Sequence, residues 1–185
     1  RARDRQRSLG WLIALPMVLN GLWLVTVQFL SVWATVVCII LLLAALVITY
    51  LRAVRTREPA DGWLDGILID VVTGLHLGWV ALATVANIAA ALTATVPADW
   101  ESAASVVGVI VLIVVAAVAL GISASGVWRI APVLSIAWGL GWLAVARLLG
   151  DLVDVPIGIT AIIVAVIVII VPVVGRLMRE RTLAD

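Results

Sequence analysis

The sequence contains no lysine: all twelve of its basic residues are arginine. A lysine Schiff base is thereby excluded, and with it a retinal-binding reading of any helical membrane fold. The single cysteine, Cys38, excludes an intrachain disulfide and a CxxC site. The single histidine, His76, excludes the histidine-rich boxes of membrane di-iron enzymes and cannot build a metal site alone. Charge is scarce as well. Only 12% of the 185 residues are charged, against about 25% in an ordinary soluble domain. Hydrophobic residues make up 65%, and the mean hydropathy is +1.27. A water-soluble sphere of this size has no room to hide so much apolar surface, so the solvent is lipid.

A bilayer span needs roughly 20 apolar residues. Six runs qualify: about Trp11–Leu30, Val32–Leu51, Gly66–Leu92, Ala103–Ile122, Ile130–Leu149 and Val155–Gly175. The first two have no charged loop between them. As one helix, Trp11 to Leu51 would measure about 60 Å, twice a bilayer core, so the chain must turn, and Gln28 and Ser31 mark the place. The arginines agree with this count. Arg1, Arg3, Arg5 and Arg7 precede the first span, Arg52, Arg55 and Arg57 follow the second, Arg129 separates the fourth and fifth, and Arg176, Arg179 and Arg181 follow the sixth. The opposite connections carry Asp99, Glu101, Asp151 and Asp154, with Arg147 beside them. Eleven of twelve arginines on one side place both ends of the chain in the cytoplasm. The start at Arg1, inside an arginine-rich stretch and without methionine, leads to the expectation that an upstream segment is missing.

Polar residues inside apolar spans are functional candidates, because an unpaired polar group in hydrocarbon is costly. Asp70, one turn into the third span, is expected at the cytoplasmic interface within reach of Arg52 or Arg55. Arg147 and Asp151, four apart, suggest an interfacial ion pair. On the third span His76, Trp79, Ala83 and Asn87 follow one another at three, four and four residues and share one helical stripe. That stripe is either a ligand-facing wall or a set of packing residues. Gly74 and Gly78 form a GxxxG pair that lets another helix approach closely, offering a contact for a second copy or for a membrane-complex partner. Of nine tryptophans, Trp11, Trp63, Trp100 and Trp128 fall at span ends, where indoles anchor at the headgroups, and Trp33 lies near the turn. Trp23, Trp79, Trp138 and Trp142 fall inside spans, suited equally to stacking on a planar ligand and to filling a helix interface.

Hydrolase, nucleotide-loop, zinc-protease and calcium-loop motifs are absent. Asp151-Leu-Val-Asp154 is one DxxD, but a Mg²⁺–diphosphate site needs a second acidic cluster on a facing helix. Topology already accounts for the loop arginines, leaving no case for nucleic acid.

At Gly78-Trp79-Val80-Ala81-Leu82-Ala83-Thr84-Val85-Ala86-Asn87 the sequence resembles the TspO/MBR family of tryptophan-rich sensory proteins, which includes the mitochondrial translocator protein. The last core helix of that family carries tryptophan, alanine four later and asparagine four later again, matched by Trp79, Ala83 and Asn87. An earlier helix carries asparagine followed three later by tryptophan, matched by Asn20 and Trp23. The likeness is greatest to a longer bacterial branch with LGW-x-x-x-A-T-x-A-N, and it runs from about Leu9 to Leu149. It implies core helices enclosing an intramembrane pocket for flat hydrophobic molecules: porphyrin, haem, a carotenoid-like pigment or, in some members, a sterol. On that basis Asn20, Trp23, Trp79, Ala83 and Asn87 face the pocket. His76 and Trp138 join them from helical phase. Two departures stand out. The proline- and tryptophan-rich segment that precedes these helices in the family is absent, and Gly74-Leu75-His76 replaces the proline-tyrosine pair of the shorter members.

The sequence thus reads as all-α: a polytopic membrane helix bundle with six transmembrane helices, in one membrane domain 1–185 comprising core helices 11–92 and additional helices 103–175. The expected role is non-enzymatic binding of a planar or isoprenoid ligand, for sensing or regulation, in a bacterial plasma membrane. The resemblance carries one catalytic exception, tetrapyrrole degradation. Two other roles remain open: an accessory subunit of a larger membrane complex, and a small-molecule transporter.

Overall fold

In lipid a backbone must satisfy its own hydrogen bonds, which for long apolar runs means helix. A computed structural model describes residues 2–57, 63–95, 98–125 and 129–182, and among them there is no strand. Six of the described helices are long and apolar enough to cross a membrane. We label them α1 (Ala2–Phe29), α2 (Val32–Arg55), α3 (Val72–Thr95), α4 (Ala104–Ser125), α5 (Ala131–Leu149) and α6 (Val155–Thr182). A helical turn, Trp63–Asp65, and a π-helical segment, Gly66–Val71, lead directly into α3. Arg1 and Trp128 lie outside the described residues, as do the side chains of Arg3, Arg5, Arg7, Asp99 and Glu101. Trp63 and Trp100 are exposed at or near the starts of short helical segments, and Trp11 is exposed near the start of the apolar stretch Leu9–Phe29, positions where headgroup anchors belong.

The expected turn is found. α1 ends at Phe29, and Ser31 caps α2 by accepting the Ala34 amide on its hydroxyl at 3.3 Å. The described chain forms two compact units, Arg1–Thr95 and Val96–Asp185. They divide in the connection between the core segment 11–92 and the added segment 103–175, each contributing three of the six long helices.

In the first unit α2 lies between α1 and α3 and packs along both. It therefore buries a wide face that includes Ile39, Leu42, Ala45, Leu46, Thr49 and Tyr50. α1 runs unbroken through Pro16. A proline has no N–H, so the carbonyl four residues earlier, that of Leu12, loses its helical donor. The Thr49 hydroxyl on α2 lies 2.7 Å from that oxygen and donates to it, sharing its proton with the Ala45 carbonyl. Farther along the same seam, the Cys38 thiol donates to the Leu19 carbonyl at 3.7 Å. Leu9, Ala53 and Ile69 close the end of the unit at which α1 begins.

In the second unit α6 packs against α5 and α4 along a narrow stripe of Gly158, Ala161, Val164, Val168 and Pro172. At Gly158 a methyl group would stand 2.6 Å from two carbons of Leu148, so α5 comes this close without displacing that side chain because the position is glycine. Asp154 caps α6: its Oδ1 accepts the Ile157 amide and the Ser105 hydroxyl, each at 3.0 Å. One acidic residue of the DxxD is therefore structural. The expected Arg147–Asp151 pair is not formed. α5 ends at Leu149, so the two residues lose the helical geometry that would align them, and Arg147 donates to the Leu152 carbonyl instead.

Candidate functional site

The candidate site lies in the first unit, on the flank of α3. The buried ridge of that helix runs through Thr73, Leu77, Val80, Thr84 and Ala91, on the side where it packs along α2. Gly74 and Gly78 are also buried within the fold. His76, Trp79, Ala83 and Asn87 follow beside this ridge, so the stripe is neither core nor fully exposed. His76, Ala83 and Asn87 are half-buried, whereas Trp79 is 51% exposed.

α1 and α3 both run antiparallel to α2, and toward their C-terminal ends they meet through side chains. The half-buried Trp23 donates its indole N–H to Oδ1 of Asn87 at 3.4 Å, a long hydrogen bond linking residues 64 apart in sequence. Asn87 in turn donates from Nδ2 to the carbonyl of Ala83, one turn back on its own helix, at 3.0 Å. The Thr26 hydroxyl donates to the carbonyl of Trp23 at 2.7 Å, which anchors the turn from which the indole projects. Trp23, Ala83 and Asn87 thus form one hydrogen-bonded group across two helices.

The other expected residues are placed differently. Asn20, one turn before Trp23 on α1, is exposed, and its side chain bonds to no other described residue. His76 and Trp79 extend the stripe away from Asn87 and carry no hydrogen bond to it. Trp138 belongs to the second unit, where its ring meets that of Trp142 edge-on, with centroids 5.9 Å apart and planes at 78°. Both of those indoles are exposed. Among the described residues no cluster of three histidine, cysteine or acidic side chains is placed to hold a metal ion.

A second polar feature lies at the start of the third span, and here the expectation needs correction. The buried Asp70 pairs with Arg57, not with Arg52 or Arg55. Arg52 and Arg55 lie on the last turn of α2 and are exposed, while Arg57 lies beyond the helix end, where the chain is free to turn back. The guanidinium passes over Gly66, where any Cβ would stand 2.9 Å from two of its nitrogens. The signal in sequence was Gly66 itself, four residues before Asp70 at the opening of the π-helical segment.

Against known proteins, a family model described as TSPO-like protein matches residues 1–174. The match extends beyond the core motifs into α6, so the added helices belong to the family pattern. No curated protein and no solved structure matches the chain.

Proposed function

The chain belongs to the TSPO-like family, and on that premise we propose that this multi-pass membrane protein binds a flat hydrophobic molecule, such as a porphyrin, haem or carotenoid-like pigment, in a sensory or regulatory role. The observation that carries the reading is the hydrogen bond from Trp23 to Asn87. It joins the asparagine–tryptophan motif of α1 to the tryptophan–alanine–asparagine motif of α3, two stretches that sequence alone relates only through the family. In this reading the exposed Trp79 indole supplies a flat apolar face, against which a ring system sheds its lipid or water contacts. Asn87 and Asn20 supply orienting polar contacts. The role is binding, not catalysis. The arginine distribution supports a cytoplasmic position for both ends, and the likeness to the bacterial branch supports a bacterial plasma membrane.

An absorption spectrum of the purified protein tests the reading directly, because a bound tetrapyrrole or carotenoid colours it. Trp79→Phe and Asn87→Ala are expected to weaken binding of added protoporphyrin or carotenoid in detergent. Unchanged binding in both variants removes the site.

A further inference from the structure

We infer that Trp23 fixes the direction in which the Asn87 carboxamide points, so that the site offers its ligand a hydrogen-bond donor and selects flat hydrophobic molecules carrying an acceptor oxygen. The inference rests on the ligand-binding reading above and adds the chemistry of the ligand. A carboxamide has an acceptor end and a donor end of nearly equal shape, and its neighbours decide which way it sits. Here the two neighbours agree. The Trp23 indole can only donate, and it faces Oδ1; the Ala83 carbonyl can only accept, and it faces Nδ2. Turning the amide over would set donor against donor and acceptor against acceptor, losing both bonds in apolar surroundings.

Two hydrogen-bonding positions of Asn87 are left over: the second Nδ2 hydrogen and the second lone pair of Oδ1. They are not equivalent. Carbonyl oxygens using one lone pair are tolerated in protein interiors, whereas orphaned N–H donors are rare. The second Nδ2 hydrogen has no partner among the described residues. The residual demand at this position is therefore for an acceptor. Trp79 lies eight residues earlier on the same stripe, about 12 Å along the helix axis. A ring system on Trp79 that reaches toward Asn87 with a carbonyl or carboxylate oxygen meets both features. Trp23 is then a positioning residue: it acts on the ligand through the amide that it holds.

Two fused three-ring probes separate this inference from the reading on which it rests. Anthraquinone carries two carbonyl acceptors and no donor, and anthracene carries neither. Their saturable quenching of tryptophan fluorescence is measured on the full chain in lipid nanodiscs, with empty nanodiscs as the baseline. The expected result is tighter binding of anthraquinone by about five- to tenfold, the scale of one hydrogen bond. Asn87→Leu is expected to bring the two probes to nearly equal affinity while both still bind. Trp23→Phe keeps the aromatic ring, removes the N–H and is expected to reduce the preference. A preference that persists in Asn87→Leu overturns the inference and leaves the ligand wall standing. If that variant does not fold, an undiminished preference in Trp23→Phe overturns it. Quenching by both probes no greater than that of empty nanodiscs overturns the binding reading and the inference together.

Discussion

The hydroxyl of Thr49 donates to the carbonyl of Leu12, the oxygen that Pro16 leaves without its helical amide. The α1–α2 seam is thus fastened at the interior point where Pro16 keeps α1 from satisfying itself. Thr49→Val keeps the shape of the side chain and removes the donor. It is expected to destabilise the first unit by about 1 kcal/mol, typical of an interhelical hydrogen bond in a membrane. Pro16→Ala restores an amide to Leu12 and should make the Thr49 substitution nearly neutral. Equal cost of Thr49→Val in both backgrounds, measured by reversible unfolding in detergent, sinks the argument.

Arg57 and Asp70 are unequal partners: the aspartate side chain is 3% exposed and the arginine side chain 33%. Removing the arginine takes one charged partner from a buried carboxylate, and breaking a buried ion pair from one side is costly. Arg57→Ala is therefore expected to destabilise the first unit measurably, in contrast to an ordinary surface substitution. Stability unchanged in Arg57→Ala, measured by reversible unfolding in detergent, contradicts the burial argument. Gly66→Val, which places side-chain carbons where the guanidinium lies, is expected to behave like a partial Arg57 deletion.

Much of this architecture was legible in the sequence because lipid imposes a simple rule on length. The apolar runs and alternating arginines anticipate the described helices, and Ser31 marks the turn because a hydroxyl is worth most at a helix start. Partners across helices were less legible. The spacing of Arg52 and Arg55 continues the phase of α2, but Arg57 is past its end and escapes helical arithmetic altogether. Arg147 and Asp151 fail for the converse reason, since their i,i+4 spacing straddles the end of α5 at Leu149. The bond from Thr49 to Leu12 was half-written: Pro16 names the orphaned carbonyl by its offset of four, but nothing in the sequence names the donor. At the candidate site, the stripe on α3 was readable from its period. The pairing of Trp23 with Asn87 depends on how α1 and α3 lie on α2, which no single helix encodes.

The two acidic residues of the DxxD should separate cleanly. Asp154 accepts from the first turn of α6 and from Ser105, so Asp154→Ala is expected to cost about 1 kcal/mol, in the usual range for an N-cap. Asp151 is exposed and forms no pair with Arg147. Asp151→Ala is expected to change stability by less than about 0.5 kcal/mol. Comparable losses from both substitutions point to a joint role for the two carboxylates, such as cation binding. A Mg²⁺ titration of thermal stability then distinguishes that role, because the capping argument predicts no Mg²⁺ effect.

The close approach of α5 to α6 predicts a size-dependent response at Gly158. A Cβ there meets Cγ and Cδ2 of Leu148, both at 2.6 Å. Leu148 is half-buried near the end of α5 and must shift to admit a methyl group, so Gly158→Ala is expected to destabilise by about 1–3 kcal/mol, the usual range for overpacking. Gly158→Leu cannot be absorbed by one rotamer change and should separate the helices locally. Trimming the neighbour decides between contact and some other effect of losing glycine. In a Leu148→Ala background the space beside Gly158 is open, and Gly158→Ala should become neutral or stabilising, because alanine favours helix over glycine by about 1 kcal/mol. If Gly158→Ala is as costly in that background as in the parent chain, the glycine is not there for Leu148, and the narrow stripe of α6 requires a different account.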